Sequence, residues 1–188
     1  MEAQNKHINQ LLERCKKSDQ NAQMQLYKAY YKAMYNVSYR ILKNEFEAED
    51  IMQESFLTAF TKLYTFKGEV TFGAWLKRIV INKSLTQLKK NNRYEEVKMD
   101  VIPNYEVQEE RIDYSLLKTT IVVDKINSLK QNYQLVLKLS LIEGYDYEEI
   151  AQIMGYTNEN VRTTISRAKK KLKQVLLGDP VNTQLYGR

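Results

Sequence analysis

Apolar side chains return every three or four positions over most of the chain, the spacing that places them on one face of an α-helix. Leu26, Tyr30, Met34 and Val37 form one stripe, continued by Ile41; Ile51, Ser55, Phe56, Ala59 and Leu63 form a second. Trp75, Ile79, Asn82 and Leu85 mark a third, which runs into the basic tail Lys89, Lys90 and Arg93. These stripes predict helices over about residues 5–92. The last two are divided by segment 64–72, where Gly68 permits a turn and Thr71 is placed to cap the helix carrying Trp75. Periodicity lapses over 93–113, which holds Pro103 and the pair Glu109–Glu110. Too long for a tight connection, this stretch reads as an extended linker with a short helix at its end.

Helical spacing resumes near Ser115 with Leu117, Ile121, Val122, Ile126 and Leu129, then Tyr133, Val136, Leu137, Leu139 and Leu141. Gly144 is placed to end that helix. Two more helices are predicted at 147–154 and 158–176, and the tail beyond Gly178, with Pro180, reads as frayed.

The last helix pair carries the most specific pattern. Ile150, Ala151 and Met154 share a face, Gly155 follows, and Thr157 or Asn158 offers an N-cap oxygen. Val161, Ile165, Ala168 and Leu172 then form one stripe at steps of 4, 3 and 4. Ala151, Gly155 and Val161 stand at offsets 0, 4 and 10, the spacing of a helix-turn-helix. The small residue lets the helices cross closely, Gly accepts a positive φ, and the branched residue fills the angle between them. Arg162, Thr163, Ser166, Arg167 and Lys170 are left facing outward. Arg can bond a guanine edge bidentately, and Lys, Ser and Thr suit phosphates or bases.

Composition supports an all-α fold of two small helical domains, 5–92 and 115–177, joined by an acidic linker, 93–114. Only 6 Gly and 2 Pro interrupt 188 residues, and 43% apolar content is enough for a core. Net charge is +6 over 1–92, −4 over 93–113 and +4 over 114–188, so two basic modules flank an acidic connector. Each module is suited to a polyanion.

Enzyme chemistry finds little footing. Cys15 is the single cysteine and His7 the single histidine, which argues against a disulfide, a thiolate zinc site and a nucleophile–His pair. The glycines never cluster into a phosphate loop, and no carboxylate set has metal-ligand spacing. No catalytic residue, metal or cofactor is expected. No apolar run approaches the roughly 18 residues of a membrane span, and the N-terminus lacks a signal peptide's apolar core. The expectation is a cytoplasmic protein without membrane insertion.

In the first domain Asp50, Gln53 and Glu54 are neighbours on one helical face, a patch that a partner helix bearing Arg would bind. This lies within YRILKNEFEAEDIMQESFLTAF (39–60), whose Ala48, Glu49, Asp50, Gln53 and Phe56 match a pattern of the extracytoplasmic-function (ECF) sigma factors of the sigma-70 family. TFGAWLKRIVINKSLTQLKKNNR (71–93) is similar to the family's minus-ten-reading helix at Phe72, Trp75, Leu76, Arg78, Ile79 and Asn82. In VDKINSLKQNYQLVLKLSLIEGYDYEEIAQIMGY (123–156) the stretch EGYDYEEIA matches well. There the family's Leu-Pro and Arg are replaced by Leu129-Lys130 and Gln134. The resemblance covers roughly residues 20–176.

It implies a sigma factor that directs core RNA polymerase to promoters. Asp50, Gln53, Glu54 and Phe56 would dock on the beta-prime clamp helices, and the second domain on the beta flap. Phe66 and Lys67, in the loop that captures an unstacked base, would read minus-ten DNA with Lys77, Arg78, Asn82 and Lys83. Arg162, Thr163, Ser166, Arg167 and Lys170 would read the minus-thirty-five duplex. The resemblance further implies an anti-sigma factor, and an acidic linker that either threads a polymerase channel in place of RNA or is a solvated tether. The alternative reading is a helix-turn-helix regulator whose first domain senses a ligand or dimerises. The segments AEDIMQESF and FGAWLKRIVIN argue against it, since a sensor has no use for either. A helical adaptor would leave the helix-turn-helix spacing unexplained.

Overall fold

A computed structural model describes residues 2–95 and 114–177 of the chain. They fall into two compact units that divide between Val101 and Ile102. Among the described residues the structure is helical throughout. The linker segment 96–113, with Pro103 and the Glu109–Glu110 pair, and the tail from Gly178 lie outside the described residues.

The first unit consists of α1 (Glu2–Lys16), α2 (Gln20–Leu42), α3 (Glu45–Thr61), a 3-10 turn (Leu63–Thr65) and α4 (Phe72–Glu95). Side-chain oxygens start three of these helices by satisfying backbone N–H groups that have no partner within the helix. Asp19 accepts from Asn21 and Ala22, Asn44 from Glu47, and Thr71 from Ala74. Lys43 closes α2 at a left-handed φ of 59°. α2, α3 and α4 pack on one another, with α1 against α2. The expected stripes of α2 and α3 point inward: Leu26, Met34, Val37 and Ile41 are buried, as are Ile51, Ser55, Phe56, Ala59 and Leu63.

α4 departs from expectation. Its buried residues are Phe72, Leu76, Val80, Ile81, Ser84 and Leu85, while Trp75 and Ile79 are half-buried and Asn82 is exposed. Because α4 meets both α2 and α3, it buries a broad face, and that face lies one position round from the row read off the sequence. A buried Ser hides in it. Ser84 donates to the carbonyl of Val80, and its oxygen lies 3.0 Å from that of Ser38 on α2. These two small, mutually satisfied hydroxyls let α2 and α4 approach without leaving a polar group unpaired.

The second unit comprises α5 (Tyr114–Asn127), α6 (Gln131–Leu137) extended by a π turn (Lys138–Ile142), α7 (Tyr147–Met154) and α8 (Asn158–Leu177). Ile126, Leu129, Val136, Leu137 and Leu139 are buried as expected, but Leu141 is half-exposed. The π turn inserts an extra residue per turn, which rotates Leu141 outward. Gly144, at φ +78°, ends this segment.

The departures at Leu129-Lys130 and Gln134 acquire a physical account. The Gln134 amide donates to the carbonyls of both Asn127 and Leu129 at 2.8 Å, closing the end of α5 as a longer basic side chain would. Lys130 has φ −58°, within the range a proline ring imposes, so the backbone keeps a proline-compatible bend without the proline.

Candidate nucleic-acid and partner interfaces

Asp50, Gln53 and Glu54 all lie exposed on α3, and Gln53 donates to Glu49 at 3.2 Å. Phe56 requires correction. It is 2% exposed, with its ring 4.8 Å from that of Tyr27, so it props the helix from beneath and cannot itself touch a partner. Two other large apolar side chains do reach solvent. Phe46 is 82% and Leu57 68% exposed, and with Asp50 and Gln53 they form one row at steps of 4, 3 and 4. Apolar, acidic, amide and apolar groups thus share one exposed face of α3. The same spacing is present in the sequence, on the side of the helix opposite the inward stripe of Ile51, Ser55 and Ala59.

The DNA-facing candidates of the first unit adjoin this surface. Lys83 on α4 pairs with Glu54 at 3.1 Å, and farther along Gln87 and Asn91 both donate to the Glu47 carboxylate. A polar seam thus ties α3 to α4. Lys67 and Asn82 are exposed, and Lys77 and Arg78 half-buried. Phe66 is half-buried, with its ring 5.4 Å from Trp75 and 6.0 Å from Phe72. Here it walls an open cavity of about 440 Å³, together with Ile8, Tyr30, Glu69, Val70 and Phe72. Trp75 therefore belongs to an aromatic cluster supporting the loop, and burial pushes the Tyr30 phenol up. The role of Tyr30 was not visible in the sequence, because it depends on α2 crossing the loop.

In the second unit, Asp146 and Glu149 form a reciprocal capping box at the start of α7. Gly155 ends α7 at φ +70°, and Thr157 caps α8 by accepting from Asn160 at 3.2 Å. Ala151, Val161, Ile165, Ala168 and Leu172 are buried, so the expected inner row is the observed one. Arg162, Thr163, Ser166, Arg167 and Lys170 are all exposed. The Arg162 guanidinium lies 5.8 Å from the centre of the Tyr147 ring.

Among the described residues no three or more His, Cys, Asp or Glu side chains converge as metal ligands. No described helix is long and apolar enough to cross a membrane. Cys15 is buried, and burial pushes its thiol up, which keeps it protonated and poorly reactive.

A helical unit with an exposed row of mixed character on α3, together with a helix-turn-helix unit whose outer face is basic, defines a two-part DNA-binding protein. Family comparison gives it a narrower place. Residues 26–94 match Sigma-70 region 2 and residues 120–172 match Sigma-70 region 4. The chain is 30% identical over 173 residues to the ECF RNA polymerase sigma-E factor of Salmonella typhimurium, covering 86% of this chain and 90% of that one. It is 28% identical over 186 residues to the ECF RNA polymerase sigma factor SigW of Bacillus subtilis, covering 90% and 96%. The fold is shared with the sigma factor RpoE of Bartonella quintana, solved with the anti-sigma factor NepR (TM-score 0.59, 22% identity, covering 83% and 97%). It is likewise shared with CnrH, solved with the cytosolic domain of CnrY (TM-score 0.56, 24% identity, covering 90% and 96%).

The chain belongs to the ECF sigma factors of the sigma-70 family, and is a promoter-directing transcription initiation factor. The ligand-sensing regulator is set aside, because the segment it would need as a sensor is sigma region 2.

Proposed function

We propose that the two units act as separate readers on one polymerase. The first binds core polymerase at its beta-prime clamp helices through the α3 row of Phe46, Asp50, Gln53 and Leu57, with Glu54 at its edge. It reads minus-ten DNA through Lys67, Lys77, Arg78, Asn82 and Lys83, and Phe66 helps form a cavity for an unstacked base. Bases out of the stack are read by stacking and hydrogen bonding, which an aromatic-walled cavity provides. The second unit reads the minus-thirty-five duplex through Arg162, Thr163, Ser166, Arg167 and Lys170, and meets the beta flap.

The observation that carries this reading is the outer face of α8. Five hydrogen-bonding side chains are exposed above a fully apolar inner row, an arrangement that serves duplex recognition without disturbing the core. Catalysis belongs to the polymerase, the compartment is the cytoplasm, and an anti-sigma factor holds the free protein in check.

Co-elution of the purified chain with core RNA polymerase tests the docking surface. Wild type is expected to bind, and Asp50→Ala/Gln53→Ala to lose about thirtyfold or more, the effect of removing contacts at the centre of an interface. A folded wild type, free of any co-purified inhibitor, that fails to bind core would overturn the docking assignment.

A further inference from the structure

Arg162 is the first long cation of α8, and among the described residues no carboxylate pairs with it. Glu149 is committed to the backbone of Asp146 through the capping box. The contact recorded for Arg162 is with Tyr147, the first residue of α7, whose ring centre is 5.8 Å from the guanidinium carbon.

The two sides of this contact differ in how many side-chain bonds must be ordered. Tyr147 follows Asp146 directly, so the capping box holds its backbone, and although the residue is exposed its ring turns on only two side-chain bonds. Arg162 has four rotatable side-chain bonds and would otherwise sample many rotamers in solvent.

We propose that Tyr147 is a positioning residue for promoter recognition. Its ring holds the Arg162 guanidinium in place before DNA arrives, so that Arg162 reads its base at a smaller ordering cost. The chemistry of the two interactions is compatible. An aromatic ring engages the face of a guanidinium, whereas bidentate bonding to the O6 and N7 of a guanine uses the N–H groups along its edge. Tyr147 therefore orders the cation without consuming the donors that read DNA. A carboxylate partner would have competed for those same donors. The expected target is a guanine in the minus-thirty-five major groove, and Tyr147 adds selectivity for it without touching it.

This inference rests on the reading of α8 as the duplex-reading helix, and the test separates the two. Full-length protein in complex with core polymerase would be titrated with minus-thirty-five duplexes carrying each single base-pair substitution. The proteins are wild type, Tyr147→Ala, Tyr147→Phe, Arg162→Ala and the double variant Tyr147→Ala/Arg162→Ala. Circular dichroism melting would establish that each is folded.

Tyr147→Ala is expected to lower affinity for the preferred duplex by about two- to fivefold, the worth of an exposed cation–π contact. It should reduce discrimination at the same base pair at which Arg162→Ala abolishes it. Tyr147→Phe keeps the ring and should behave as wild type. In the Arg162→Ala background, Tyr147→Ala should have no further effect.

If Arg162→Ala leaves discrimination intact at every position, the reading of Arg162 falls and the positioning role falls with it. If Arg162→Ala loses discrimination but Tyr147→Ala does not, the proposal alone is overturned. It is also overturned if Tyr147→Phe is as defective as Tyr147→Ala, or if the two alanine variants are additive. A defective Tyr147→Phe would assign the effect to the hydroxyl, and additivity would mean that Tyr147 acts independently of Arg162.

Discussion

The two units expose charged recognition surfaces over apolar interiors, yet they build them differently. In the first, the proposed polymerase row and the proposed DNA-facing side chains sit on adjacent helices and share an ion pair, Glu54 on α3 with Lys83 on α4. In the second, the Tyr147 ring of α7 lies against the Arg162 guanidinium on the outer face of α8. The difference teaches how each surface should respond to change. A surface cross-linked by charge couples two binding events and depends on salt. One held by a ring leaves the guanidinium N–H donors available to a ligand.

The interiors provide the strongest way to break the comparison. Leu76 in α4 and Ile165 in α8 are essentially inaccessible to solvent. Leu76→Ala and Ile165→Ala should each destabilise the host unit by about 2–5 kcal/mol. Hydrogen exchange followed through a denaturant series is expected to show each variant loosening its own unit alone. Simultaneous loss of protection in both units would mean that they do not fold separately.

Glycines sharpen the contrast next. A Cβ on Gly73 would stand 2.8 Å from the Tyr30 ring, so here glycine is needed for space. Gly144 has open space around it but a φ of +78°, so there glycine is needed for backbone conformation. Gly73→Ala should cost about 1–3 kcal/mol through overpacking, and Gly144→Ala about 1–2 kcal/mol through handedness. Only the former should also perturb the loop cavity that Tyr30 lines, readable in the Tyr30 ring resonances.

Smaller effects follow at two lysines. Lys83→Met removes the cross-helix pair and should change the first unit's stability by less than about 1 kcal/mol, fading further in high salt. A larger loss would show that the pair is a structural tie. In the second unit, Lys130→Pro should add about 0.4–1 kcal/mol by restricting the unfolded chain at a φ it already adopts. A lower melting temperature would show that the bend needs the Lys130 N–H.

Asp19 supplies a pH signature confined to the first unit. The N–H of Ala22, and after it Arg14, hold its carboxyl below the usual aspartate range. A group whose folded pKa is depressed stabilises above its unfolded value, about 4, and loses that contribution as pH falls through the lower folded one. Melting of the wild type should therefore weaken more steeply below pH 4 than that of Asp19→Asn. Parallel curves would exclude Asp19 as a source of acid sensitivity.

Legibility followed locality. The α7–turn–α8 pattern could be read directly because its requirements fall within a few residues. Ala151, Gly155 and Val161 each answer to a near neighbour, and the outer row of α8 is whatever the buried row is not. The break at Gly68 and the Thr71 cap were local in the same sense. Phe56 lies where its own periodicity puts it, in the inward stripe of α3, and the docking role that the resemblance implies for it does not survive that burial. Leu141 was misplaced because one π turn shifts the phase of everything after it.

The sequence by itself determined the helices, most of their inward rows, the two basic blocks and the order of motifs that marks an ECF sigma factor. These depend on periodicity, capping and spacing along one segment. Tertiary structure alone decided that α4 turns Phe72, Leu76 and Val80 inward and that Glu54 meets Lys83. It also decided that Tyr147 faces Arg162. Each of these joins residues from different helices or chooses between adjacent faces of one helix, and periodicity carries no information about which neighbour will cover which face.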